Sequence, residues 1–334
     1  MEFLPHKGLT KMAIRWGIIG CGDVARKRVA GAIQKDNRCQ LTAVCRRDPA
    51  KLHQFCEEFR VGRGLTSASE LIASPDIDAV YIATPVNLHC PQTIAAAATG
   101  KHVLVEKPMA MSVAECDEMI AACASAGVRL GVAYYRPFYP VIRRMKQLVD
   151  DGAIGKVLSV SAVTSTPFAI GPKEDGYWRV IPEQGGGGAL MDIGSHRLDL
   201  FLNLFGPVAE VKGFCSTING DYQADDAASL ILKFESGVHG SLNCFFGANT
   251  DTDEFAILGT EGRLVSRPLN RGELLIERGV DRMIEHRPPN ANFNVPLIAD
   301  FVSAILEERA PAVPGEQGRE VNRLMELAYA SSAG

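Results

Sequence analysis

The chain has 334 residues, a formal net charge of −4 and 46% hydrophobic residues. That length suits two domains of ordinary size, and the apolar fraction supports a well-buried core. The acidic balance and the lack of a basic block argue against a nucleic-acid footprint, and no run approaches the roughly 20 apolar residues of a membrane span.

Nine cysteines are scattered along the chain without C-x-x-C spacing. That usage predicts reduced thiols in a cytoplasmic protein rather than a disulfide framework. Residues 1–11 carry no apolar signal core and are expected to form a disordered extension ahead of Met12. The first strand runs from Ile14 to Ile19, apolar and partly β-branched, and enters the turn Gly20-Cys21-Gly22-Asp23-Val24-Ala25. This is the pattern G-x-G-x-x-[GA] between a strand and a helix. Gly20 permits the tight turn, Gly22 leaves room for a pyrophosphate, and small Ala25 lets the helix pack close to the strand. The backbone from Gly20 through Cys21, Gly22, Asp23 and Val24 is therefore the expected phosphate cradle of a dinucleotide.

Strands are then expected at Leu41–Cys45, Asp78–Ala83, Val103–Val105 and Val128–Ala133. Helices lie between them at Pro49–Phe59 and Pro91–Ala98. Capping-box patterns at Ser67 to Glu70 and Ser112 to Glu115 start two more. Alternating strands and helices mean a parallel sheet covered on both faces, so residues 12–135 are expected to form a Rossmann NAD(P)-binding domain. At the end of the second strand an acid would favour NAD by binding the ribose hydroxyls, whereas arginine suits the 2′-phosphate of NADP. Here Arg46 and Arg47 occupy that place, with Asp48 placed to cap the next helix. NADP is therefore expected over NAD; the competing reading of the two arginines is a solvated basic turn.

After about residue 150 the rhythm changes. Strands joined by short glycine turns are expected at 156–166, 208–219, 227–234, 238–246, 255–258 and 264–267. They give an α+β domain over 136–334 with a large open, mostly antiparallel sheet. One helix interrupts them at 188–205. Another is expected at 296–308, and a last amphipathic pattern at 316–330 is placed to pack back on the first domain. The polar, proline-containing stretch 281–294 is read as a loop. In the interrupting helix Asp192 and His196 are four apart and share a face. A carboxylate beside an imidazole suits proton transfer, although the same pair also fits an amphipathic surface. No further ligand of convincing spacing accompanies them, so no metal is expected. Glu106-Lys107-Pro108 stands at the carboxyl end of a parallel strand, where open α/β sheets bind ligands.

Taken together these motifs resemble the glucose–fructose oxidoreductase and inositol dehydrogenase family, Gfo/Idh/MocA. The resemblance is carried by Gly20 to Ala25, by Ala83-Thr84-Pro85-Val86-Asn87-Leu88-His89, and by Gly100 to Pro108. It continues through Gly152 to Gly155, Trp178-Arg179, and Gly186 to His196. It implies an enzyme moving a hydride between nicotinamide and a secondary alcohol or ketone of a sugar, cyclitol or related polyol. It implies that Thr84, Pro85, Asn87 and His89 lie near the cofactor and Glu106 and Lys107 near the nicotinamide. It further implies Lys107, Asp192 and His196 as the catalytic set. Tyr135, Arg136, Trp178 and Arg179 become candidate substrate contacts. A homodimer or homotetramer through the second domain's open sheet is expected as well. Two alternatives remain: a tightly bound cofactor that cycles between substrates, and a cofactor-binding sensor without turnover.

Overall fold

The computed structural model describes residues 13–250 and 252–333; the extension expected over 1–11 lies outside the described residues. The first half is built from β1 (Ile14–Ile19), a π-helical turn at Ala25–Val29 that runs into α1 (Ala30–Lys35), β2 (Cys39–Cys45), α2 (Pro49–Phe59) and β3 (Gly64–Leu65). It continues with α3 (Ala68–Ile72), β4 (Ala79–Ile82), α4 (His89–Ala98), β5 (His102–Val105), α5 (Val113–Ser125) and β6 (Leu130–Val132). The strands form one six-stranded sheet in the order β3-β2-β1-β4-β5-β6, with every pairing parallel. All of β4 and most of β1 and β5 are buried, as a sheet covered on both faces requires. Local chemistry sets the helix starts. Asp48 accepts a hydrogen bond from the Lys51 amide at 3.0 Å, with Pro49 in the first turn. Ser112 does the same for Glu115 at 3.2 Å, although the Glu115 carboxylate reaches the Met111 amide rather than closing a box on Ser112.

The second half adds α6 (Pro140–Asp150), β7 (Val157–Thr166), α7 (Pro182–Gly185), a π-helical turn at Leu190–Gly194 and α8 (Ser195–Phe205). Then come β8 (Val208–Ser216), β9 (Ala227–Phe234), β10 (His239–Phe246), β11 (Thr252–Gly259), β12 (Gly262–Ser266), β13 (Glu273–Arg278) and β14 (Asp281–His286). These strands make an eight-stranded sheet ordered β14-β13-β12-β11-β7-β10-β9-β8. It is antiparallel except where β7 runs parallel to β10. The stretch expected as a loop at 281–294 instead begins with β14, paired to β13 from Arg278–Asp281 to Glu273–His286. The signal was weak for a physical reason: β14 is an edge strand, nearly every residue of it is exposed, and it buries no alternating apolar face.

Helices α9 (Asn294–Leu306) and α10 (Gly315–Ala333) close the chain. Phe301 of α9 lies 5.8 Å from Trp16 of β1, ring to ring. Helix α10 is held to the region of α5 by Arg319 on Asp117 at 2.6 Å and by Asn322 on the Ala110 carbonyl at 2.7 Å. At its other end Ser331 and Ser332 accept from the amides of Gly213 and Cys215 on β8. These bonds engage two amides on the β8 edge of the large sheet. One face of that sheet is packed; the other displays Phe214 at 79% and Ile231 at 65% exposure.

Candidate active site

The carboxyl ends of β1, β2, β4 and β5 open onto a cleft of about 730 Å³, closed on the far side by the segment Pro172–Ile181 and by Asp192. Gly20 sits at φ +95°, and a Cβ there would lie 2.5 Å from the Ala83 carbonyl oxygen, so the β1 turn needs glycine. A Cβ on Gly22 would meet nothing within 4 Å; that side of the turn faces free space. No side chain caps the helix that follows, which leaves its first amides for a ligand. An open glycine turn, an uncapped helix start and a cleft of this size suit the pyrophosphate of a dinucleotide. Cys21, Asp23 and Val24 lie on the same wall, and the Cys21 thiol is pushed up to about 12 by burial.

At the β2 end Arg46, Arg47 and Asp48 line the cleft, joined by Lys51 from the first turn of α2. Arg46 donates to the Cys21 carbonyl. It also donates to Asp175 at 2.8 Å, while Lys51 reaches the same carboxylate oxygen at 2.7 Å. The hydrogen bond from Lys51 and the Arg46 charge hold the Asp175 carboxyl below its ordinary value against partial burial. Thr84 and Pro85 line the cleft, with Thr84 bonded to Gln92 at 2.9 Å. Asn87 and His89, expected beside the cofactor, are not on the cleft wall; Leu88 and Gln92 take those places. His89 is buried because both its ring nitrogens face backbone carbonyls, Thr84 at 2.9 Å on one side and Pro108 and Met109 at 3.1 and 3.2 Å on the other. It therefore sits between the loop after β4 and the loop after β5, and its single N–H, in the neutral form that burial favours, bonds one of the two sides.

Glu106 is fixed by Tyr81, whose hydroxyl donates at 2.7 Å and itself accepts from Asn294. The Lys107–Pro108 peptide is cis. Lys107 Nζ donates to the Asp192 carboxylate at 2.6 Å and to the Asp192 carbonyl at 2.8 Å. Arg179 Nε stands 3.6 Å from the other carboxylate oxygen. Burial would raise the Asp192 carboxyl, but the Lys107 and Arg179 charges outweigh it and hold the group below its ordinary value. The two halves of the chain thus meet on the cleft at the Lys107–Asp192 pair as well as at Asp175 with Arg46 and Lys51.

The glycine run before Asp192 has a packing reason. Asp225 accepts from the Gly188 and Leu190 amides at 2.8 and 2.9 Å and from Tyr329 at 2.7 Å. A Cβ on Gly188 would fall 1.8 Å from the Asp225 carbonyl oxygen. Asp192 lies within the π-helical turn and His196 in α8. That wide turn breaks the α-helical register, and Asp192 pairs with Lys107 rather than with His196. His196 is 5% exposed, its Nδ1 is buried without a partner, and its ring lies 4.9 Å from Tyr135 and 5.7 Å from Tyr134. Burial first, then the charges of Lys107 and Arg136, push its pKa well below the usual histidine value, so the imidazole is neutral. Tyr135 is the counterpart. Burial opposes ionisation, yet Arg136, Arg28 and Lys107 together lower its pKa, and the Arg28 guanidinium lies 5.1 Å over the ring.

Of the candidate substrate contacts, Trp178 and Arg179 line the cleft, stacked 4.5 Å apart. Tyr135 and His196 stand side by side, both behind the cleft wall rather than on it. Arg136 is buried, engaged by Asn270 at 3.1 Å and Asp253 at 3.6 Å, and Asp253 also holds Arg197. Sequence reasoning missed Arg28, Lys51, Asp175 and Asp225. Lys51 was within reach, in the first turn of the expected helix that follows Arg46; Asp175 lies 129 residues from Arg46 in a segment without periodicity. Among the described residues no group of three or more His, Cys, Asp or Glu could hold a metal ion, and no helix is long and apolar enough to cross a membrane.

Comparison with known proteins gives two family matches. Residues 14–134 match an oxidoreductase family with an NAD-binding Rossmann fold, and residues 142–265 match the GFO/IDH/MocA C-terminal domain. An oxidoreductase of Formosa agariphila is 32% identical over 94% of this chain and 98% of its own length. The 1,5-anhydro-D-fructose reductase of Ensifer adhaerens is 31% identical over 91% of this chain and 92% of its own. The crystal structure of aldose-aldose oxidoreductase from Caulobacter crescentus, complexed with glycerol, superposes with a TM-score of 0.86 at 31% identity, covering 96% of this chain and 98% of that one.

Proposed function

The chain belongs to the GFO/IDH/MocA family of NAD(P)-binding oxidoreductases, and from that premise we propose that it interconverts a secondary hydroxyl and a ketone on a sugar or related polyol, with Lys107, Asp192 and His196 as its working side chains. The relatives named as sugar reductases and oxidoreductases support the substrate class. The observation that carries the reading is the Lys107–Asp192 pair at 2.6 Å on the wall of the cleft that also holds the glycine turn. Bound nicotinamide supplies or takes up the hydride. The protein's residues do the rest. The Lys107 ammonium, with two of its contacts made to Asp192, has a further N–H for the substrate oxygen and stabilises negative charge as it develops there. Asp192 holds that ammonium in place. His196, neutral in its buried setting, accepts the hydroxyl proton in oxidation and returns it in reduction.

NADP is the preferred cofactor in this reading, supported by the three cations Arg46, Arg47 and Lys51 lining the cleft at the β2 end. Assembly as a homodimer or homotetramer through the open face of the large sheet is supported by the exposed Phe214 and Ile231. The test of the chemistry is turnover of His196→Ala on a panel of sugars and keto-sugars, with NADP binding measured separately by titration. Loss of about 10²–10⁴ in turnover with binding retained is expected. Tyr135, acidified beside the same imidazole, supports a second reading. Full turnover in His196→Ala together with its loss in Tyr135→Phe would move the proton transfer to the phenol.

A further inference from the structure

The Arg46–Lys51 pair puts two cations on the β2 end of the cleft, and a carboxylate already engages it. Asp175 comes from the other half of the chain, on a tight loop in which the Glu174 amide bonds the Gly171 carbonyl at 2.9 Å and the Glu174 carboxylate takes the Gly171 amide. Gly176, next in line, has φ +106° and turns the chain toward Trp178. Asp175 Oδ2 sits 2.8 Å from Arg46 Nη2 and 2.7 Å from Lys51 Nζ. The Arg46 side chain is only 18% exposed, while Asp175 is 69% exposed. The cation is thus part of the cleft wall, and the carboxylate is the member free to leave. In a Rossmann domain the end of the second strand faces the adenosine ribose, and a carboxylate there accepts from the ribose hydroxyls. The β2 strand lacks one, and Asp175 brings it from outside.

We propose that Asp175 sets the choice between the two dinucleotides: it occupies the anion seat formed by Arg46 and Lys51, accepts from the adenosine ribose hydroxyls of NAD, and must yield that seat to the 2′-phosphate of NADP. The proposal rests on the reading that the cations at the β2 end face the adenosine ribose. A phosphomonoester carries about 1.5 to 2 negative charges and three acceptor oxygens. It therefore outcompetes a single carboxylate for forked donors, but only after breaking two ion pairs or enduring a like charge beside it. Wild-type preference for NADP is accordingly narrower than Arg46, Arg47 and Lys51 alone would give.

Calorimetric titration of the full-length, cofactor-free protein tests this without turnover, using 2′,5′-ADP and 5′-AMP as probes of the adenosine end. Asp175→Asn keeps the side chain's shape and removes its charge. It is expected to tighten 2′,5′-ADP by about three- to tenfold, the scale of one or two solvent-facing ion pairs, while 5′-AMP binds no tighter than before. Arg46→Ala is expected to weaken 2′,5′-ADP and leave 5′-AMP nearly unchanged. If Arg46→Ala weakens 2′,5′-ADP but Asp175→Asn leaves the ratio of the two affinities where it was, or moves it toward 5′-AMP, the role of Asp175 is wrong and the cation site stands. If Arg46→Ala changes neither probe, the β2 end is not the ribose site, and both the proposal and the reading beneath it fall.

Discussion

Replacing Lys107 with methionine keeps most of the side-chain volume and removes the ammonium. Two consequences follow from its two bonds to Asp192, at 2.6 and 2.8 Å. In turnover, if Lys107 stabilises charge on the substrate oxygen as proposed, its loss should lower kcat by about 10²–10³, or about 2.7–4 kcal/mol, on the scale of a missing oxyanion donor. In stability, the Asp192 carboxylate, 23% exposed, is left with only Arg179 at 3.6 Å, a deficit of about 1–3 kcal/mol for an under-paired buried group. The pH dependence separates the two effects. In the wild type Asp192 titrates below the ordinary carboxylate value. Its contribution to stability is therefore present above that value and is lost only as pH falls through the lowered one. Without Lys107, burial is opposed mainly by Arg179 and the carboxyl rises. The folded variant then keeps its proton longer than the unfolded chain, and stability falls as pH climbs above about 4. Thermal unfolding of Lys107→Met should thus lag the wild type more at pH 8 than at pH 5. Adding Asp192→Asn should recover much of the melting temperature and none of the activity. A Lys107→Met protein that melts like the wild type at both pH values and turns over comparably would refute the pairing and the role drawn from it.

Burial pushes the His89 pKa down to about 4 from 6.5, outweighing its contacts with the Thr84, Pro108 and Met109 carbonyls. Its stabilising effect is complete above pH 6.5 and is lost as pH falls from there toward 4, at about 1.4 kcal/mol per pH unit; because His196 and His102 are lowered as well, the slope measured by denaturant unfolding should be shallower in His89→Gln than in the wild type by about that amount, and matching slopes would contradict the assignment. Phe214→Glu and Ile231→Glu place charges on the open sheet face and should reduce the sedimenting mass to that of one chain. An unchanged mass would remove that face as the contact.

Strand and helix periodicity made five strands of the first sheet legible because they obey local rules: apolar runs in a doubly covered sheet, and caps such as Asp48 and Ser112 whose partners lie three residues away; the two-residue edge strand β3, with no buried residue, left no such signal. The glycine turn was readable for the same reason, since Gly20 and Gly22 act through backbone shape. Strand β14 was not, because its edge position removes the alternation that marks a strand. Lys107 and Asp192 could be picked out one by one, but their pairing spans 85 residues and depends on a π-helical turn for which spacing alone gives no sign. His89 was legible only as a member of its motif; that its ring is buried against the carbonyls of Thr84, Pro108 and Met109 depends on the fold. Asp175 lies beyond local reasoning altogether, since only the folded chain brings it to Arg46.

Helix α10 bears on how the enzyme breathes. It grips the first layer through Arg319 and Asn322 and the second through Ser331 and Ser332, and α9 adds Phe301 against Trp16. Swinging one half away from the other about a hinge would strain this strut along its whole length. The span from Pro172 to Ile181 is instead tied across the cleft by the Asp175 ion pairs to Arg46 and Lys51, surface contacts that salt weakens. Added salt should therefore loosen that span before it loosens the contacts of α9 and α10, which include buried groups such as Phe301, Trp16 and Asn322.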